Sequence, residues 1–127
     1  MSYIRYKNNN LFVESVSVKS LASKSNTPFY LYSENNIIEN YKSFSNNFKN
    51  TKPLICFSVK ANSNIQILKV LKKMGSGADV VSGGELLKAI KSGIQPSKIV
   101  FSGVGKTEEE IRLAIKKNIL LINVQSE

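Results

Sequence analysis

Four short apolar runs, Leu54 to Val59, Ala78 to Ser82, Ile99 to Ser102 and Ile119 to Val124, recur through the second half of the chain. The interval between them is that of one strand, one helix and two short loops. Each run is rich in β-branched residues and mostly apolar on both faces, which suits a parallel strand covered by helices rather than a half-exposed hairpin. Between the runs the period changes. Ile67, Val70, Leu71 and Met74 fall on one helical face, with Gly75 as the stop. Leu86, Leu87 and Ile90 make a second apolar stripe, ended by Gly93. Thr107 precedes Glu110 at capping-box spacing, and Ile111, Ala114 and Ile115 are expected to turn inward. Strand, helix, strand, helix predicts a parallel sheet with right-handed crossovers.

Upstream, Phe29 to Tyr32 reads as a short strand after Pro28, and Ser33 as the cap of a helix carrying Ile37, Tyr41, Phe44 and Phe48 at helical spacing. Phe12, Val13, Val16 and Val18 alternate loosely, as a separate strand would. No linker divides the chain. A closed (β/α)8 barrel takes about 250 residues, and this chain of 127 residues supplies about half. An arc of parallel strands leaves an unpaired edge. Either the chain forms a small open α/β sheet or it is a portion of a larger barrel enzyme. The last apolar run is followed by no helix to cover it, which favours the portion.

Composition narrows the function classes. A hydrophobic content of 42% is enough for a core and excludes disorder. No run approaches the roughly 18 apolar residues of a membrane span, and the first ten residues lack the apolar middle of a signal peptide, so a cytoplasmic protein without a membrane is expected. Cys56 is the single cysteine, which excludes an internal disulfide, and it reads as a small packing residue. With no histidine, Cys/His metal sites and Ser/His or Cys/His hydrolase arrangements are absent. The formal charge is +9, yet Lys69, Lys72, Lys73, Lys88, Lys91, Lys116 and Lys117 are spread over successive predicted helices rather than gathered with aromatic platforms. A solvated surface is expected, and no nucleic-acid site.

The chemistry concentrates at Lys60. A lysine at the carboxyl end of an apolar strand has two readings. Burial would disfavour its ammonium and leave a nucleophilic amine able to condense with a carbonyl. Alternatively its stem leaves the strand and its head reaches water. Strand alternation puts Cys56, Ser58 and Lys60 on one face and Ile55, Phe57 and Val59 on the other. Asp79 sits early in the next run, where an ionised carboxylate needs a partner, or else is a loop carboxylate after Gly77. Ser82-Gly83-Gly84 could turn backbone donors toward an anion, although Gly-Gly turns are common. Glu85 reads as a first-turn helix carboxylate. Gly105-Lys106-Thr107 imitates the end of a P-loop, but Val100 stands where that motif requires glycine, so it reads as a loop and helix cap.

Phe57-Ser58-Val59-Lys60-Ala61-Asn62-Ser63-Asn64, followed by Gly75-Ser76-Gly77-Ala78-Asp79-Val80-Val81-Ser82-Gly83-Gly84-Glu85-Leu86, resembles the diaminopimelate decarboxylases, pyridoxal-phosphate enzymes with an alanine-racemase-like barrel. Thr27 to Tyr32, Phe101 to Thr107 and Glu109-Glu110-Ile111 extend the match, which runs from about Phe12 to the last residue. The resemblance implies an α/β fold, a partial (β/α)8 TIM barrel of first strands and helices preceded by an N-terminal β segment. Residues 1–26 would belong to the family's β-rich second domain and 27–127 to the first part of the barrel. It implies that Lys60 carries pyridoxal 5′-phosphate, that Asp79 lies close to cofactor and lysine, and that meso-2,6-diaminopimelate is decarboxylated to L-lysine in the complete enzyme, a homodimer. The phosphate cup, the ring-nitrogen carboxylate and the substrate contacts lie in the family on later strands or on the partner subunit. The chain alone is therefore expected to be inactive. Rival readings are a related amino-acid racemase, an ornithine or arginine decarboxylase, or a noncatalytic α/β binding module.

Overall fold

The structure, a computed structural model, describes residues 3–48, 50–51 and 53–126. They divide into two compact units between Asn40 and Tyr41.

The first unit holds β1 (Ile4–Lys7), β2 (Asn10–Val13) and β3 (Val16–Ser17) in an antiparallel meander. One loose strand was expected there. The chain reverses twice instead, because Asn8 and Asn9 both take positive φ, as a two-residue hairpin turn needs, and Glu14 does so before β3. Val18 is not in a strand but begins α1 (Val18–Ala22), capped by the Ser17 hydroxyl. Phe29 to Tyr32, expected as a strand, belongs to neither sheet. A run of high β propensity becomes a strand only where a neighbour offers a ladder of backbone groups. Ser33 accepts from the Asn36 N–H at 3.0 Å as expected of a cap, and the Glu14 carboxylate accepts from the Ser33 hydroxyl and the Asn35 N–H at the same place. These bonds, the one from Ser33 foremost, hold the Glu14 carboxyl below its ordinary range. They start α2 (Glu34–Asn46). Of the aromatics at helical spacing, Phe44 and, just past the end of α2, Phe48 are both exposed and pack on each other at 5.2 Å.

The second unit is the predicted parallel sheet, in the order β4 (Cys56–Ser58), β5 (Gly77–Val80), β6 (Ile99–Phe101), β7 (Leu121–Ile122). Crossovers carry α3 (Ile65–Lys73), α4 (Gly83–Lys91) and α5 (Glu108–Lys116). Each helix starts where the sequence supplies an acceptor. Asn64 accepts from Gln66 N–H, Ser82 from Glu85 N–H, and Thr107 and Glu110 close the expected capping box. After α3 and α4, Gly75 and Gly93 take φ of +88° and +91°, the left-handed step that ends a helix.

Register decides the faces. Phe57, Ala78 and Ile99 are aligned across three strands, as are Val80 and Phe101. They join Val59, Leu68, Leu86, Ala89, Ile94 and Ala114 in the core between sheet and helices. Ile67, Leu71, Leu86 and Ala114 face the core as expected, but the stripes are rotated at their edges. Leu87 and Ile115 are 50% and 66% exposed, while Leu68 and Ala89 are wholly buried. A nine-residue helix packs by its central turn, so the small Ala89 and Ala114 bring the backbone close and turn their larger neighbours outward. The other sheet face carries Cys56 with Gly77, Ser58 with Asp79 and Val100, and Leu121 with Val100. No helix among the described residues is long and apolar enough to cross a membrane.

Candidate active site

The face turned away from the helices ends, at the carboxyl ends of its strands, in Lys60, Asp79, Ser102 and Asn123. Strand β4 stops at Ser58, earlier than expected, and Val59–Ala61 form one turn of 3-10 helix. The alternation persists through that turn: Val59 is fully buried and Lys60 is exposed. Of the two readings of this lysine, the exposed one holds among the described residues. Its head reaches solvent because the chain coils just before it, and its side chain has no hydrogen-bond or ion-pair partner among the described residues. The loop beyond is tightly built. Asn62 accepts from Asn64 N–H at 3.0 Å, and the Lys88 ammonium on α4 donates to the Ser63 hydroxyl at 2.9 Å.

Asp79 stands beside Ser58 in the β4–β5 register. It is half-buried in the strand rather than in a loop, and it has the partner such a carboxylate needs: the Ser102 hydroxyl donates to Oδ1 at 2.6 Å. The Asn123 amide donates to the same hydroxyl at 2.9 Å. The sheet thus brings Lys60 and Asp79 to one end of adjacent strands and adds two groups to which sequence reading assigned no role. Each is the polar residue that closes an apolar run, after Ile99-Val100-Phe101 and after Leu120-Leu121-Ile122. A polar residue recurring at that point is the signal that could have found them.

Cys56, one position back on the same face, has its thiol pushed up by burial first and by the Asp79 charge second. It is a poor nucleophile in this setting.

The Ser82-Gly83-Gly84 turn is already engaged. The Gly83 N–H donates to Glu110 Oε1 at 2.7 Å, and the Glu85 carboxylate accepts from the Val81 N–H at 2.9 Å. A free anion would have to displace Glu110 from Gly83. The Gly83 bond, with that from Thr107 N–H, holds the Glu110 carboxyl below its usual range. Thr107 caps α5, and the Lys106 ammonium donates to the Gly103 carbonyl and, at 3.2 Å, to the Gln125 side chain. Lys106 therefore ties together the loops that follow β6 and β7. A primary amine with no partner among the described residues can condense with a carbonyl compound to an imine.

A family model described as "Pyridoxal-dependent decarboxylase, pyridoxal binding domain" matches residues 34–127. The chain is 48% identical over 124 residues to a diaminopimelate decarboxylase of Aquifex aeolicus, covering 98% of this chain and 29% of that protein. A crystal structure from Aquifex aeolicus superposes with a TM-score of 0.92 at 48% identity, over 98% of this chain and 31% of the other. A diaminopimelate decarboxylase from Helicobacter pylori, solved with L-lysine, superposes with a TM-score of 0.81 at 49% identity, over 85% of this chain and 27% of the other. The chain thus spans less than a third of the length of these relatives.

Proposed function

The chain belongs to the pyridoxal-dependent decarboxylases, through the pyridoxal binding domain of that family, and from this premise we propose that Lys60 holds pyridoxal 5′-phosphate covalently in a decarboxylase that converts meso-2,6-diaminopimelate to L-lysine and carbon dioxide. One observation carries the reading. The Lys60 amine, with no partner among the described residues, lies in the turn at the carboxyl end of a parallel strand, the rim where barrel enzymes keep their active sites, and Asp79 pairs with Ser58 at the end of that strand. The chemistry of these groups fits the coenzyme: an exposed amine for its aldehyde and a carboxylate to balance the cation formed there. When bound, the coenzyme supplies an electron sink for the pair released as carbon dioxide leaves.

The residues of this chain have distinct tasks. Lys60 binds. Asp79 contributes negative charge at the end of the adjacent strand, and the Asn62 and Ser63 contacts hold the turn from which the lysine projects. The Gly83 to Glu110 bond and the Lys106 contacts keep the neighbouring rim loops in place.

The substrate is proposed from the diaminopimelate decarboxylases of Aquifex aeolicus and Helicobacter pylori, the latter solved with L-lysine. The whole reaction also needs a phosphate cup, a ring-nitrogen carboxylate and substrate contacts. We place these outside the 127 residues, on later strands and on the second subunit of a homodimer in the cytoplasm. In this reading residues 1–26 belong to the β-rich second domain and residues 27–127 open the barrel.

The test is borohydride reduction of the coenzyme-loaded protein followed by peptide mapping. The label is expected on Lys60 and is lost in Lys60→Ala; a label on another amine, or none, removes the assignment. Release of carbon dioxide by the complete enzyme from meso-diaminopimelate, compared with L-lysine, L-ornithine and L-arginine, tests the substrate. Preference for one of the latter three would replace it.

A further inference from the structure

Side chains from three consecutive strands meet at one hydroxyl. Ser102 Oγ lies 2.6 Å from Asp79 Oδ1 and 2.9 Å from the Asn123 amide nitrogen. A serine hydroxyl has a single proton. Asn123 can only donate through its amide nitrogen, so it occupies an acceptor position of the hydroxyl and leaves the proton for Asp79. A hydrogen bond to an ionised carboxylate is short and strong, and its direction fixes the carboxylate plane.

The backbone anchors the relay at both outer strands: Ser102 N–H donates to the Val80 carbonyl at 2.8 Å, and Asn123 N–H to the Phe101 carbonyl at 2.9 Å. Both bonds continue the sheet ladder beyond the last paired residues of β6 and β7. The positions of the two polar side chains are thus set by the sheet and not by a loose loop. The field of Asp79 reaches the β4 side, because its charge adds to burial in raising the Cys56 thiol. Lys60 lies in the turn that follows the end of that strand at Ser58, the residue paired with Asp79.

Resting on the reading that Lys60 carries the coenzyme, we propose that Ser102 and Asn123 are positioning residues that orient the Asp79 carboxylate and so set the proton affinity of the Lys60–coenzyme linkage. Neither touches the reacting atoms. The titratable group coupled to Asp79 is Cys56 on β4; Lys60 lies in the turn after β4, and Lys106 after β6 is engaged with Gly103 and Gln125. The relay itself adds no charge. It removes the rotational freedom of Asp79 before any ligand arrives, which is how a preorganised charge acts more strongly than a mobile one.

The experiment is a pH titration of the visible absorbance of the intact protein loaded with pyridoxal phosphate, with borohydride labelling of Lys60 scored on every variant. Asp79→Asn is expected to lower the midpoint by roughly 1–3 pH units, the influence of one adjacent opposite charge. Ser102→Ala moves it in the same direction by a smaller step, at least about half a unit. Ser102→Thr, which keeps a hydroxyl, restores it, and Ser102→Ala added to Asp79→Asn produces no further shift. Asn123→Ala lies at the exposed end of the relay and gives the same downward direction if Ser102→Ala does not fold. An unmoved midpoint with Lys60 labelled overturns the inference alone, as does a Ser102→Ala shift that persists in the Asp79→Asn background. Absence of label at Lys60 in the unmodified protein overturns the proposed function and this inference together.

Discussion

Replacing Gly77 by alanine probes whether the sheet is packed as closely as its register implies. Gly77 opens β5 opposite Cys56, and its N–H donates to the Ile55 carbonyl at 2.9 Å. A methyl group there would meet the Lys98 carbonyl oxygen at 2.3 Å and Cys56 Sγ at 2.8 Å. A carbon and a carbonyl oxygen approach no closer than about 3.3 Å, even in favourable contacts. The sulfur can rotate aside. The carbonyl belongs to the backbone leading into β6, so β5 and β6 must separate by roughly 1 Å or the new side chain must leave its rotamer. Overpacking of this kind destabilises by about 1–3 kcal/mol, offset by about 0.4–1 kcal/mol because alanine restricts the unfolded chain. A net loss of about 1–2 kcal/mol follows.

Gly84 is the control. The nearest atom to its added Cβ is Ser82 Oγ at 3.9 Å, in the first turn of α4, so Gly84→Ala is expected to be neutral or to stabilise by up to about 1 kcal/mol. Urea unfolding followed by far-ultraviolet circular dichroism reads both, with the midpoint moving while the slope stays constant. A Gly77→Ala protein within about 0.5 kcal/mol of the unmodified one would show that the β4–β5–β6 spacing is wrong.

The helical faces give a second comparison: Leu86→Ala, at a wholly buried position, should cost about 2–5 kcal/mol, while the adjacent Leu87→Ala, half exposed, should stay within about 0.5 kcal/mol in the same assay. Equal losses would contradict the rotated stripe. Glu110 supplies a pH signature. Its carboxyl sits below the ordinary value of 4.5 because Gly83 and then Thr107 donate to the ionised form. A depressed folded value stabilises the protein above the unfolded one and ceases to do so as pH falls through the folded one. Glu110→Gln should therefore be less stable than the unmodified protein at neutral pH, with the gap closing in acid below pH 4.5. A gap that stays constant down to pH 3 would separate the carboxylate charge from the α4–α5 contact.

The order of elements in the second unit was legible along the chain, because periodicity and caps are local. Apolar runs beside Gly75 and Gly93, the Thr107 and Glu110 pair, and the position of Lys60 at the end of the first run needed only neighbours in sequence. What the linear pattern could not supply was anything that depends on a partner. Phe29 to Tyr32 has the propensity of a strand but lies in neither sheet, and Phe44 and Phe48 have helical spacing but stay exposed. The one strand expected over Phe12 to Val18 is broken at Glu14, which takes positive φ between β2 and β3. The helical stripes were legible except at their edges, where the small Ala89 is buried and Leu87 and Ile115 turn outward. The linear pattern left Lys60 either buried or reaching water, and it is exposed in the turn after Ser58. The hydroxyl shared by Asp79 and Asn123 joins residues 23 and 21 positions away from Ser102, so only parallel pairing could assemble it. Local preference determines what each segment can become; the tertiary structure decides which side chains meet, since contact free energy exists only between groups that the sheet register has already aligned.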